Sequence, residues 1–205
     1  MYKRIINKLI QQVATTHIAT KEKVVYLTFD DGPEEDILQF VLDELDKYDY
    51  KATFFCRGDR AEENPQLLAL LRQRGHSIAN HSYGHPNAFH VPTDNYVADI
   101  EKADSVLHTP LLRPPYGSLT LSTWLKLHKK YRIVYWSLNS EDSELERYDH
   151  QRALAHLQAK TRGGDIVLFH FCQRHEKETR QLLPLYLAWL HRENYRSEGI
   201  GNLSS

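Results

Sequence analysis

Short apolar runs alternate with amphipathic stretches along the whole chain, and this alternation predicts an α/β fold. The apolar runs are rich in Val, Ile, Tyr and Phe, have the length of strands, and end near Gly, Pro, Asp or Asn. The predicted strands span residues 24–29, 52–56, 76–79, 111–113, 132–136 and 165–169.

The segments between these strands show the spacing of amphipathic helices. Apolar residues recur in this way at Ile37, Leu38, Val41, Leu42 and Leu45. A second helix is predicted to begin at Asn64-Pro65 and to end at Gly75. Further helices are predicted at residues 94–107, 121–130, 151–160 and 176–192.

Strands separated by helices pair in parallel through right-handed crossovers, which leaves an open doubly wound sheet or a distorted (β/α) barrel. The unusual polar residues favour the barrel, because they stand at the ends of predicted strands and such positions converge on one face of a barrel. These residues are Asp30, Asp31, His81, His85, Arg113 and His170.

The length of 205 residues fits one domain, predicted over residues 23–205 and preceded by a helical extension over residues 1–22. With 41% hydrophobic and 26% charged residues, the composition is that of a soluble globular protein. The formal net charge of -1 gives no global field for a nucleic acid or an anionic membrane, whereas a neutral glycan is a compatible partner. The oligomeric state stays open.

Charged residues interrupt the apolar residues near the N-terminus at Lys3, Arg4 and Lys8, so neither a secretory signal nor a membrane span is predicted there. We therefore expect a cytoplasmic protein without a transmembrane segment. The two cysteines, Cys56 and Cys172, are expected to be buried free thiols without a role.

Two carboxylates end the first predicted strand, in the sequence Thr28-Phe29-Asp30-Asp31-Gly32-Pro33. Adjacent acids repel each other unless a cation lies nearby, and consecutive strand residues point in opposite directions. The two carboxylates can therefore serve different purposes. Because Asp-Gly and Gly-Pro also form turns, a simple turn is the alternative interpretation.

Two histidines follow the third predicted strand, in the sequence Asn80-His81-Ser82-Tyr83-Gly84-His85. Three residues separate them, a gap that lets both imidazoles reach one ion when the loop is tightly turned. Such a pair alone is a weak signal, because the chain has 12 His. With an upstream Asp it supplies one oxygen and two nitrogen ligands and leaves coordination positions open.

A rigid segment ends the fourth predicted strand, in the sequence Leu112-Arg113-Pro114-Pro115-Tyr116-Gly117. Arg113 can pair with a carboxylate and keep it ionised, and the turn can aim a backbone N–H at a developing oxyanion. A merely rigid loop is the alternative. The last predicted strand leads directly to His170, and a histidine in that position is by itself more often structural.

These four motifs together resemble those of the polysaccharide deacetylases with a NodB homology domain, also called carbohydrate esterase family four. TFDDGP at 28–33, H-S-x-x-H at 81–85, RPPYG at 113–117 and LFH at 168–170 occur in the family's order. The resemblance covers residues 23–200 and implies a distorted (β/α) barrel of the NodB type with one divalent ion, usually zinc. It also implies hydrolysis of N-acetyl groups on N-acetylglucosamine units, as in peptidoglycan or chitin-type glycans.

The resemblance also implies a role for each matching position. Asp31, His81 and His85 would hold the metal. Asp30 would be the general base, oriented by Arg113, and His170 the general acid that protonates the leaving amine. The backbone N–H of Tyr116 would assist at the oxyanion, and sugar contacts are expected from Pro115, Tyr116, Trp136 and Leu168.

One motif departs from the family pattern W-x-x-D-x-x-D-W. This chain has Trp136-Ser137-Leu138-Asn139-Ser140-Glu141-Asp142-Ser143, so Asn139 stands where an Asp commonly supports the acid histidine. A neutral amide can position His170 but cannot raise its pKa by charge, and we expect His170 to lose its proton at lower pH than a carboxylate-supported counterpart. Asp142 is the alternative support.

Two other functions compete with the deacetylase. A glycan-binding or regulatory protein of the same fold without turnover is motivated by the altered motif, and the intact acids and histidines argue against it. A phosphoryl-transfer enzyme with Asp30 as nucleophile lacks the accompanying Gly-rich phosphate loop and basic cluster.

Overall fold

Parallel strands form one curved sheet in the computed structural model, which describes residues 9–143 and 148–202. The strands are β1 (Val24–Asp30), β2 (Ala52–Cys56), β3 (Ser77–Asn80), β4 (Leu111–Leu112), β5 (Arg132–Ile133), β6 (Leu138–Asn139), β7 (Ile166–His170) and β8 (Arg196–Ser197). Their order is β5-β4-β3-β2-β1-β7-β6, with β8 beside the start of β1. This is the distorted (β/α) barrel that the sequence predicted.

Helices connect the strands and cover the outside of the sheet. They are α1 (Glu35–Asp46), α2 (Gly58–Glu63), α3 (Pro65–Gln73), α4 (Thr93–Leu107), α5 (Leu121–Leu127), α6 (His150–Lys160) and α7 (Glu176–Arg192). Their apolar stripes face inward, as Ile37, Leu38, Val41, Leu42 and Leu45 of α1 do. Six of the seven agree with the helices predicted from periodicity.

Side chains of the central strand β1 alternate between two apolar layers. Val25, Leu27 and Phe29 belong to the outer core, which also contains the buried faces of α1 and α7. Val24 and Tyr26 belong to a separate cluster inside the barrel. Both faces of β1 are buried, so the strand carries a nearly continuous apolar run up to the acids at its end.

The N-terminal segment joins the β5 edge of the sheet to the residues before β7. Thr15 forms an isolated bridge with Val134, and His17 forms one with Asp165. Because this pairing is extended, the predicted helical extension over residues 1–22 is helical in its described part only over residues 9–13. Residues 1–8 lie outside the described residues.

Among these strands and α-helices, three were not predicted, namely α2, β6 and β8. The strand predicted at residues 132–136 is also shorter than expected, because Val134 bridges to Thr15 and the Tyr135 N–H donates to the Thr15 carbonyl. No helix among the described residues combines the length and apolar character needed to cross a bilayer.

Candidate active site

A pocket of about 420 Å³ opens where the parallel strands end. Five residues that the sequence singled out from separate motifs line it: Asp30, Asp31, His81, His85 and His170. The fold therefore brings together side chains that lie up to 140 positions apart in the sequence.

Asp31, His81 and His85 form a cluster of possible metal ligands. Asp31 Oδ1 lies 3.1 Å from His85 Nε2 and 3.4 Å from His81 Nε2. This oxygen is buried and has no aligned hydrogen-bond partner among the described residues. Burial alone would raise the pKa of Asp31, but its contacts with His81 and His85 hold that pKa well below its ordinary value.

The protonation of His81 also fits a metal ligand. Its Nδ1 lies 2.8 Å from the carbonyl oxygen of Arg113. A carbonyl only accepts a hydrogen bond, so Nδ1 donates to it, and Nε2 is the ring nitrogen left to coordinate an ion beside Asp31. The unpaired carboxylate oxygen and this tautomer together fit a divalent cation such as zinc.

Left-handed backbone conformations aim the ligand side chains. The angle φ is 81° at Asp31, 66° at Ser82 and 59° at His85. Ser82 Oγ accepts a hydrogen bond from His85 N, and Asn80 Oδ1 accepts one from Ser82 N. These bonds hold a loop that has left the sheet, and strained backbone of this kind concentrates at functional sites.

Gly32 sets how closely the Asp31 loop approaches the chain beyond β7. A Cβ atom at Gly32 would lie 2.4 Å from the ring of Phe171, which is fully buried. We expect Gly32→Ala to lower the free energy of unfolding by about 1–3 kcal/mol, the usual cost of an added group in a packed core. Thermal and denaturant unfolding measure this change.

Gly84→Ala is the matched control, because a Cβ atom there comes no closer than 3.3 Å to the nearest atom, Asp99 Oδ2. We expect this variant to unfold close to the wild-type midpoint. Equal stability of Gly32→Ala and the wild type would contradict a tight contact between the loop and Phe171.

Asp30, the last residue of β1, is almost completely buried. The Arg113 Nη1 donates to Asp30 Oδ1 at 2.7 Å and to Thr28 Oγ1 at 2.8 Å. The guanidinium is itself fixed, because its Nη2 donates to the Tyr135 carbonyl at 2.9 Å. The other oxygen, Asp30 Oδ2, lies 3.8 Å from His81 Nε2 and is left for the pocket.

His170 ends β7 and pairs in register with Asp30. Its Nδ1 lies 2.7 Å from Asp142 Oδ1, and its backbone N–H donates to Asp142 Oδ2 at 2.8 Å. Burial would lower the pKa of His170, but the charge and hydrogen bond of Asp142 raise it to about 9. The expectation that His170 lacks carboxylate support and loses its proton at lower pH is therefore wrong.

Asn139 makes a different contact. Its Oδ1 accepts a hydrogen bond from Glu141 N at 2.9 Å, within its own loop. Glu141 has a left-handed φ of 63°, and the turn there carries the buried Asp142 to His170. Asp142, the alternative that the sequence offered, is thus the residue that supports the histidine.

Three of the four predicted sugar contacts, Tyr116, Trp136 and Leu168, line the pocket. Tyr116 is 64% exposed, and its ring packs edge-on against His85, with centroids 4.6 Å apart. Its left-handed φ of 58° marks the turn predicted to carry the oxyanion N–H. Pro115 is buried and is not on the pocket wall, so its position suits holding the turn rather than touching a sugar.

The pocket wall also holds residues to which the sequence analysis assigned no role: Arg57, Arg60, Gly117, Ser143, Cys172, Arg174 and His175. Both Arg57 and Arg60 have acidic neighbours, Asp59 and Glu34, whereas Arg174 is exposed. Burial and the charge of Asp31 raise the pKa of the Cys172 thiol to about 11. The one sequence signal for these residues is the Cys-x-x-His spacing at 172–175.

Comparison with known proteins places this site in a family. The sequence model of the polysaccharide deacetylase family matches residues 17–136. Two relatives described as peptidoglycan-N-acetylglucosamine deacetylases come from Bacillus cereus. One is 38% identical over 126 residues, which are 58% of this chain and 46% of the relative. The other is 30% identical over 195 residues, which are 92% of each chain.

A peptidoglycan-N-acetylmuramic acid deacetylase of Bacillus subtilis is 30% identical over 215 residues, covering 97% of this chain and 78% of the relative. Among solved structures, a peptidoglycan N-acetylglucosamine deacetylase superposes with a TM-score of 0.84 at 25% identity over 94% of both chains. A pseudoenzyme of carbohydrate esterase family four from Bacillus anthracis shares the fold, with a TM-score of 0.76 at 24% identity over 90% of this chain and 66% of that one.

The chain belongs to the polysaccharide deacetylase family, which is carbohydrate esterase family four. The relatives named above are peptidoglycan deacetylases, apart from the pseudoenzyme, which shows the fold alone.

Proposed function

We propose that this protein is a zinc-dependent N-deacetylase that removes acetyl groups from N-acetylglucosamine units of peptidoglycan or a chitin-type glycan. One observation carries the proposal: Asp31, His81 and His85 converge on one point beside Asp30, whose carboxylate is held by Arg113. The relatives from Bacillus cereus and Bacillus subtilis support the glycan class, since they are described as peptidoglycan deacetylases.

Asp31, His81 and His85 would hold the ion. When bound, a divalent ion polarises a carbonyl and lowers the pKa of a coordinated water toward neutrality. Because Arg113 engages Asp30 Oδ1, Oδ2 is the atom that would accept the proton of the attacking water. The buried guanidinium orients this carboxylate.

His170 would protonate the leaving amine, which departs poorly unless protonated. Its Nδ1 is held by Asp142, so Nε2 is the atom that donates. Burial would raise the pKa of Asp142, but His170 lowers it, so this carboxylate stays charged behind the acid. The Tyr116 backbone N–H is our proposed donor to the oxyanion.

The decisive experiment is acetate release from a panel of N-acetylated glycans, with zinc-loaded and chelated protein. The panel includes chitin oligomers and peptidoglycan strands, whose N-acetylglucosamine and N-acetylmuramic acid units are assigned separately by mass spectrometry. Binding of a glycan without acetate release would instead identify a glycan-binding protein of this fold. The cytoplasmic location stays a prediction that cell fractionation can check.

Loss of zinc is expected in the variants His81→Gln and His85→Gln. Each removes one of three ligands, so zinc affinity should fall by more than the roughly 10- to 100-fold cost of losing a group that merely supports a ligand. Metal analysis after dialysis against a calibrated chelator measures this loss. His128→Gln is the control, because His128 Nδ1 contacts the Trp124 carbonyl on α5. Equal zinc retention in all three variants would refute the ligand assignment.

A further inference from the structure

A second group of metal-binding side chains adjoins the first. Asp31, Cys172 and His175 each offer a ligand atom, and the three atoms lie within 4.8 Å of one another. Cys172 is 4% exposed and His175 is 6% exposed, so these two side chains are largely shielded from bulk solvent. In a tetrahedral zinc site with metal–ligand bonds of about 2.0–2.3 Å, the ligand atoms lie about 3.6 Å from one another. The three ligand atoms would therefore have to move together by about 1 Å to bind one ion.

Two adjacent strands build this cluster. Phe171 N donates to the Asp30 carbonyl at 3.0 Å, so the segments after β1 and β7 leave the sheet side by side. His175 N then donates to the Cys172 carbonyl at 3.0 Å and closes the short 3-10 turn Gln173–His175. The turn brings Cys172 and His175 together across a two-residue gap, the same gap as in the Cys-x2-Cys pairs of zinc sites.

The unsatisfied ring nitrogen of His175 is an independent sign that the cluster binds a ligand. His175 Nδ1 and Asp31 Oδ1 are both buried without a hydrogen-bond partner among the described residues. Such atoms cost free energy unless a partner is present. An ion held by His81 and His85 accounts for the Asp31 oxygen, but the ring of His175 is outside that ligand set. Cys172 is a free thiol, so no disulfide engages it.

We propose that Asp31, Cys172 and His175 form a second site for a divalent cation of the zinc type. Asp31 has two carboxylate oxygens and can give one to each ion, and paired ions in two-metal sites lie about 3.5–4 Å apart. A thiolate with an imidazole selects zinc or cadmium over magnesium or calcium, and binding releases the thiol proton to solvent. Arg174, in the same turn, is exposed, so water screens its repulsion.

The second site shares Asp31 with the site of the proposed catalytic ion. The inference rests on the proposed function only through this shared ligand. Its ion would lie on the wall of the substrate pocket, which Cys172 and His175 also line. Metal binding can therefore be measured without any glycan and without turnover.

Cadmium titration of the full-length, reduced protein tests the proposal, because a cadmium–thiolate bond adds an ultraviolet charge-transfer band. The wild type should bind two equivalents and show the band. Cys172→Ala and His175→Gln should each bind one equivalent, and the band should be absent from Cys172→Ala. Cys56→Ala is the matched control, since it removes the only other cysteine, and it should behave as the wild type.

His85→Gln separates the two sites, because it should lose the other equivalent and keep the band. If His85→Gln behaves in this way but the wild type releases no acetate, the proposed deacetylase function is wrong and the second metal site is still supported. Binding of a single equivalent by the wild type would overturn the proposal, and so would a band that survives in Cys172→Ala. If the wild type bound one equivalent of cadmium and still showed the thiolate band, Cys172 would be a ligand of the single ion, and the proposal of a second site would be wrong. Circular dichroism checks folding, and His175→Gln carries the test should Cys172→Ala unfold.

Discussion

Asp30→Asn should keep zinc bound to Asp31, His81 and His85 while kcat for acetate release falls by about 10²- to 10⁴-fold, the usual contribution of a positioned general base. The amide oxygen can still accept the hydrogen bond that Arg113 gives to Oδ1. The NH2 group then occupies the place of Oδ2 and cannot accept a proton from water. Zinc content and turnover are measured on the same preparation, because their separation is the point of the experiment.

Asp43→Asn is the control for this substitution, since Asp43 is an exposed residue of α1 that contacts Gln39. It should retain both zinc and turnover. Loss of zinc from Asp30→Asn would make Asp30 a metal ligand and exchange the roles given to Asp30 and Asp31. Full activity with zinc retained would remove Asp30 from the proton transfer.

The long elements of the fold were predictable because each has a pattern of its own. β1, β2 and β7 are buried on both faces, so each is a nearly continuous apolar run. β6 and β8 have only two residues each. They are strands because they pair with a neighbouring strand, and the local sequence pattern does not reveal that pairing. The same holds for Thr15 and Val134, whose bridge shortens both a predicted helix and a predicted strand.

The candidate site was predictable where the chain order fixes the geometry. Residues that end adjacent parallel strands must meet, as Asp30 and His170 do. Asp142 is different, because the turn at Glu141 depends on a left-handed backbone angle that the sequence does not display. Position in the motif pointed to Asn139, whereas the path of the loop selects the carboxylate three residues further on.

That carboxylate makes three hydrogen bonds that constrain any replacement. Asp142 accepts from the His170 ring and backbone N–H and from Thr179 Oγ1. In Asp142→Asn the amide oxygen must face the backbone N–H, which can only donate. The NH2 group then faces His170 Nδ1, which must become an acceptor and can no longer hold the proton that makes the ring cationic.

Asp142→Asn is therefore expected to lower kcat by on the order of 10²-fold or more, because a neutral His170 is a poor acid toward the amine. Protonated His170 is present below its pKa and is lost as the pH rises through it. Burial lowers that pKa, and the carboxylates around the ring, Asp142 first among them, raise it to about 9, so removal of the Asp142 charge should move the alkaline limb of the rate profile to lower pH. Profiles are compared at equal zinc occupancy, since the cation acts on both proteins.

Asn139→Asp is the matched variant, because it restores the acid of the family pattern at the position where the sequence departs from it. The structure leads us to expect an alkaline limb within a few tenths of a pH unit of the wild type, since residue 139 bonds to Glu141 N and not to the histidine. Thermal unfolding of both variants shows whether Asp142→Asn acts through the acid or through general instability. An alkaline limb that moves in Asn139→Asp and stays in place in Asp142→Asn would return the supporting role to residue 139.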